Sequence, residues 1–70
     1  MENWVKVFKS SNAIEAEMVK DMLMENELEA VVVNKIDSSL YFGEASVLVF
    51  HTNEQAAKDL IQSNLIHNNE

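Results

Sequence analysis

Three short runs of β-branched and aromatic residues, at positions 4–9, 28–35 and 44–52, are apolar at most positions instead of alternate ones. A strand with one solvated face alternates apolar and polar side chains. These runs do not, so the sheet they form is apolar on both faces. Simple alternation sets Trp4 and Phe8 against Val5 and Val7, Ala30 and Val32 against Val31 and Val33, and Val47 and Val49 against Leu48 and Phe50. One face can be covered by helices. The other needs something else, because large exposed apolar patches mark interfaces.

The helices lie between and after these runs. Residues 13–26 carry Ile14, Met18 and Met22 on one i,i+4 row and Val19 and Leu23 on the next, a broad apolar stripe at helical spacing. Asn12, with Glu15 three residues later, is a capping pair. Asn26 is a residue tolerant of the left-handed backbone that ends many helices. A second helix over 54–65 has Ala57, Leu60, Ile61 and Leu65 as its apolar row, with Thr52 or Asn53 as its cap. The order β-α-β-β-α predicts an α+β two-layer sandwich, a ferredoxin-like unit lacking its last strand. It has a three-stranded antiparallel sheet with both helices on one face. The whole chain, 1–70, reads as a single domain with an ordered core of about 4–65.

A chain of 70 residues buries only about 60% of its unfolded surface, and this one has no cysteine to staple it. Self-association is therefore a natural way to enlarge the core. A homodimer is expected through the bare sheet face, at Trp4, Phe8, Leu48 and Phe50, or through the edge where the last strand is missing. The alternative occupant of that face is a different protein or an apolar ligand.

The balance of 12 acidic residues against 5 lysines, with no arginine, leaves a net charge of −7. Phosphate backbones and anionic membrane surfaces are bound by clustered cations, so neither is an expected partner. No apolar run approaches the ~18 residues of a membrane span, and the N-terminus lacks a secretory pattern. The cytoplasm is the expected location.

No catalytic constellation emerges, so the chain is not expected to be an enzyme or to hold a cofactor. His51 and His67 lack ligand spacing. The serines lie in no nucleophile-elbow pattern, and Ser10-Ser11 and Ser38-Ser39 are better explained by helix-start and turn chemistry. Glu17, Asp21 and Glu25 follow i,i+4 steps, which reads as a solvated helix face. The segment 36–44 is longer than an ordinary hairpin loop. It combines Asp37, Ser38 and Ser39 with Tyr41 and Phe42, closes on Gly43, and has Lys35 at its entrance. This is the candidate contact surface for a protein partner or a small effector, unless Tyr41 and Phe42 only tuck beneath the hairpin.

Several strings share an order with a known family. Glu15-Ala16 with Val19, then Leu23-Met24-Glu25-Asn26-Glu27-Leu28-Glu29-Ala30, is followed by Val33-Asn34-Lys35-Ile36-Asp37-Ser38-Ser39 and Phe42-Gly43-Glu44. Over residues 4 to about 65 the chain resembles the putative prokaryotic signal-transducing protein family. The resemblance implies a bacterial regulatory protein with a ferredoxin-like, PII-like fold. It carries over no catalytic residue. Where that family often has glycine after the first helix, this chain has Glu27. The combined reading is a small regulatory module that binds a protein partner through segment 36–44 and the open sheet face. The alternative is a small-molecule sensor with its ligand near that segment or between protomers.

Overall fold

The computed structural model describes residues 3–37, 39 and 42–68, with residues 65–68 described by backbone alone. Ser38 and Tyr41, and the side chains of Leu65 and His67, therefore lie outside the described residues. The elements are β1 (Trp4–Ser10), α1 (Ala13–Glu25), β2 (Ala30–Asn34), β3 (Ala45–Phe50) and α2 (Glu54–Asn68), with a 3-10 turn at His51–Asn53. The three strands form one antiparallel sheet in the order β1-β3-β2. Among the described residues this is the β-α-β-β-α, ferredoxin-like arrangement without a fourth strand that the sequence predicts. Both helices pack on the same side of the sheet. Across its thinnest axis the molecule spans 15 Å between Cα atoms, as two layers require.

The core lies between β3 and the helices. Ala45, Val47 and Val49 are fully buried beneath Ala16 and Leu23 of α1 and Ala57 of α2, all of them at 0% exposure. Full burial of a side chain such as Leu23, Val47 or Val49 is worth roughly 1.5–3 kcal/mol. The expected α1 stripe is rotated. Its inward row is Ala16, Val19 and Leu23, with Ala13 and Met22 at the margins, while Ile14 and Met18 are 71% and 66% exposed. The fully buried Ala16 lies on the face of α1 that meets the core, and the Ile14–Met18 row lies outside it.

Strand β1 departs from simple alternation. Lys6 pairs with Leu48, but Phe8 pairs with Val47, so Val7 is an extra residue in a β-bulge. Phe8 consequently sits beside the buried Val47 and packs against the core. Grouping Phe8 with Trp4, Leu48 and Phe50 on the bare face is therefore corrected: the bulge moves it to the helix-covered side. The same shift brings Lys9 opposite Ser46, onto the bare face with Lys6.

The ends of α1 are fixed by short-range bonds. The Asn12 side chain accepts from the N–H groups of Ile14 and Glu15, at 2.9 and 3.4 Å. Glu15 closes the motif indirectly: the Asn12 N–H donates to Ser10 Oγ, which donates to Glu15 Oε1 at 2.6 Å. At the other end the Leu28 N–H donates to the Leu23 carbonyl and the Glu27 N–H to that of Met24, each at 3.0 Å. This is the Schellman pattern. Its left-handed position is taken by Glu27, at φ 67°, and not by Asn26. Helix α2 starts differently from the expected cap: Thr52 and Asn53 belong to the 3-10 turn that leads directly into it, whereas an N-cap residue keeps a non-helical backbone.

A side chain with a Cβ in the left-handed region is disfavoured by roughly 1–2 kcal/mol. Glu27→Gly is expected to stabilise the domain by about 1 kcal/mol, partly offset by the entropy of a freer unfolded chain. Thermal unfolding should show the midpoint rising by several degrees, in line with roughly 4–8 °C per kcal/mol for a domain this small. An unchanged or lower midpoint would contradict this account of the helix end.

Candidate functional site

The face of the sheet opposite the helices is built from strand pairing alone. Its rows run Trp4–Phe50, then Lys6–Leu48–Val31, then Lys9–Ser46–Val33, with Lys35 and Glu44 joined at the end by a backbone bond of 2.9 Å. Trp4, Val31, Val33, Leu48 and Phe50 are half-buried, and none of them belongs to the helix-covered core. Trp4 meets Phe50 edge-to-face with ring centroids 6.1 Å apart, a favoured aromatic geometry. His51 is exposed and stacks at a tilt beside Phe50.

One end of this face is apolar and the other cationic. A shallow cleft of about 340 Å³ is lined by Lys6, Val33, Lys35, Glu44, Ser46 and Leu48. Lys6 Nζ bonds Glu44 Oε2 at 2.9 Å, and Ser46, only 7% exposed, donates its hydroxyl to the same oxygen at 3.3 Å. The hydrogen bond and charge of Lys6, helped by Ser46 and Lys9, hold the Glu44 carboxyl below the usual carboxylate range. Lys9 and Lys35 are exposed and have no ion pair among the described residues.

Segment 36–44 is less of a loop than its length implies. The Asp37 N–H donates to the Phe42 carbonyl at 2.7 Å and the Phe42 N–H returns the bond at 3.3 Å, so β2 and β3 continue past their ends as a hairpin. Asp37 Oδ1 accepts from the Ser39 N–H and hydroxyl at 3.0 and 2.8 Å, and Asn34 Oδ1 accepts from the Ile36 N–H at 3.0 Å. These side-chain turns fix the hairpin arms. Phe42 does not tuck beneath: it is 75% exposed. Gly43 has φ 117°, and a Cβ there would overlap the Lys35 carbonyl oxygen and crowd Ile36 Cα at 3.1 Å. Its role is close backbone approach at the hairpin root.

Of the residues expected at the site, Lys35, Asp37, Ser39, Phe42 and Gly43 lie on this hairpin, and Trp4, Leu48 and Phe50 on the bare face. Lys35 joins the two. The cleft residues Lys6, Glu44 and Ser46, together with Lys9, were not legible as a group. The two lysines interrupt an apolar strand, but only the bulge puts them on one face. A separate groove of about 460 Å³ runs between the helices, with Phe8, Ile14, Met18, Met22 and Ile61 among its walls. The row of Glu17 and Asp21 is partly neutralised by Lys20, which bonds them at 3.0 and 3.5 Å. Among the described residues, no group of three or more side chains of metal-ligating type converges, and no helix is long and apolar enough to cross a membrane.

The model of the family described as "putative prokaryotic signal transducing protein" matches residues 4–64. The chain belongs to that family. Its matched region takes in all three strands, α1 and most of α2, and so the whole of the bare face and the hairpin. No curated protein matches the chain, and no solved structure does.

Two tests follow from this geometry. Gly43→Ala should cost roughly 1–3 kcal/mol through backbone strain, on top of the overlap with Lys35, and lower the unfolding midpoint. A midpoint equal to wild type would show that the hairpin root can relax. Lys6→Met should return the Glu44 titration, followed by side-chain NMR, upward toward the ordinary value of 4.5. Because the folded-state value is depressed, the Glu44 contribution to stability is complete above the ordinary carboxyl range. It is lost as pH falls through the lowered value, and in Lys6→Met this pH-dependent contribution should shrink.

Proposed function

We propose that this family member is a small cytoplasmic regulatory module that acts by binding a protein partner on the bare face of its sheet, with hairpin 36–44 at the rim of the contact. The observation that carries this reading is the division of apolar side chains. Trp4, Val31, Val33, Leu48 and Phe50 stand outside the core, on the side opposite both helices. A face of that kind marks an interface. The exposed Phe42 adds an aromatic anchor of the type enriched at protein contacts. Binding, not catalysis, is the reading that the apolar lattice supports.

Two other occupants are tested by the same experiment. Self-association through this face would enlarge a small core, and the cleft at the hairpin root offers about 340 Å³ to a small effector. A photo-crosslinking residue is placed at Leu48 and, as a control, at the exposed Ala56 of α2, and adducts formed in cells are weighed. Adducts to a distinct protein from position 48 and not from position 56 are expected. Adducts to a second copy alone would replace the partner with a homodimer. Adducts that form equally from both positions, or from neither, would remove the sheet face from the function. Native mass spectrometry of the full chain reports a retained effector as added mass.

A further inference from the structure

The chain's charges are segregated by layer. Of its five lysines, Lys20 and Lys58 lie on the helices and are bonded by neighbouring acids of their own helix, Glu17 and Glu54, at 3.0 and 2.8 Å. The other three, Lys6, Lys9 and Lys35, stand together at one end of the bare sheet face. In the paired rows of that face the acidic residues among those described are Glu44, which is already held by Lys6, and, on the hairpin beyond it, Asp37, whose carboxylate accepts from Ser39. A chain with net charge −7 thus presents a local cationic excess where its apolar side chains are uncovered.

We infer that the partner surface received by this face is an acidic apolar polypeptide segment. Its apolar side chains lie on Leu48, Val31, Val33 and Phe50, and its carboxylates reach Lys9 and Lys35. This inference rests on the proposed use of the sheet face and names the chemistry of what binds there. Charge complementarity selects the occupant. The acidic helical layer repels an anionic segment and directs it to the opposite side. Lys9 and Lys35 flank Ser46 and Val33, and strands separated by one neighbour are roughly 10 Å apart. An extended or helical segment with a few spaced carboxylates meets both lysines. A polyphosphate chain gains less here, because three lysines without arginine neutralise few phosphates while the rest of the chain repels the others. A twofold pairing whose axis runs along the strands sets three lysines against three, with two carboxylates on each side, so a second copy is the poorer fit in that arrangement.

The sole tryptophan, Trp4, lies on the same face and reports on its occupancy. A random dodecapeptide library is selected on the immobilised full chain. Recovered peptides are titrated by Trp4 fluorescence, and backbone amide shifts locate the contact. The expected result is enrichment of peptides that combine Asp or Glu with large apolar residues, shifting amides of β1, β2 and β3. Their affinity should fall roughly tenfold or more in the double variant Lys9→Glu, Lys35→Glu, two exposed positions whose substitution leaves the core untouched. Neutral or basic peptides bound on this face would overturn the inference and leave the proposed interface standing. Peptides that map only to the helices, or no recovered binder at all, would overturn both. A single-stranded oligonucleotide that bound the face more tightly than any selected peptide would also overturn the inference.

Discussion

The pairing of β3 with both other strands is the contact on which the molecule depends. A central strand must satisfy its backbone on both sides, and β3 does so with β1 and β2. That fixes the register by which every apolar side chain is assigned to one face. Ala45, Val47 and Val49 are then sealed beneath the helices. Leu48 and Phe50, one residue out of phase, have no such cover. The two helices of the described residues cannot bury both apolar faces of the sheet, and the uncovered face is a direct result of that shortage.

The bulge at Val7 changes the character of that face. Without it, Phe8 would join Trp4 among the uncovered side chains and Lys9 would point toward the helices. With the extra residue, the aromatic ring enters the core margin and a second lysine reaches the open side. A bulge also kinks and twists an edge strand, which protects it against unwanted pairing. One inserted residue thus makes the face less greasy and more cationic and leaves the β1 edge less regular.

The hairpin between β2 and β3 illustrates a different economy. Its arms are held by paired backbone bonds at Asp37 and Phe42 and by side-chain turns at Asn34 and Asp37. Gly43 brings the arms together where no Cβ fits. The structure therefore presents Phe42 on a defined support, which lowers the ordering cost of a contact. Glu27 is the converse case: a residue with a Cβ occupies the left-handed helix end, and the two Schellman bonds together with the packing of Leu28 against the core hold it there.

Much of the fold is legible in the residues themselves. Runs of β-branched residues, the Asn12 cap and the helical spacing around Leu23 and Ile61 determine the element order, and the order with its short connections limits the topology to one sheet under two helices. The sequence also determines that both sheet faces are apolar, since Val31, Val32 and Val33 cannot all point one way. It does not determine which residues share a face across strands. That depends on register, and a bulge of one residue reverses it with no local warning in Lys6-Val7-Phe8-Lys9. Nor does composition reveal charge segregation: a net charge is a sum, and it hides three lysines that only strand pairing and the hairpin root bring together. The tertiary structure decided those matters because they are properties of alignment between distant segments, whereas helix and strand formation is decided among neighbours.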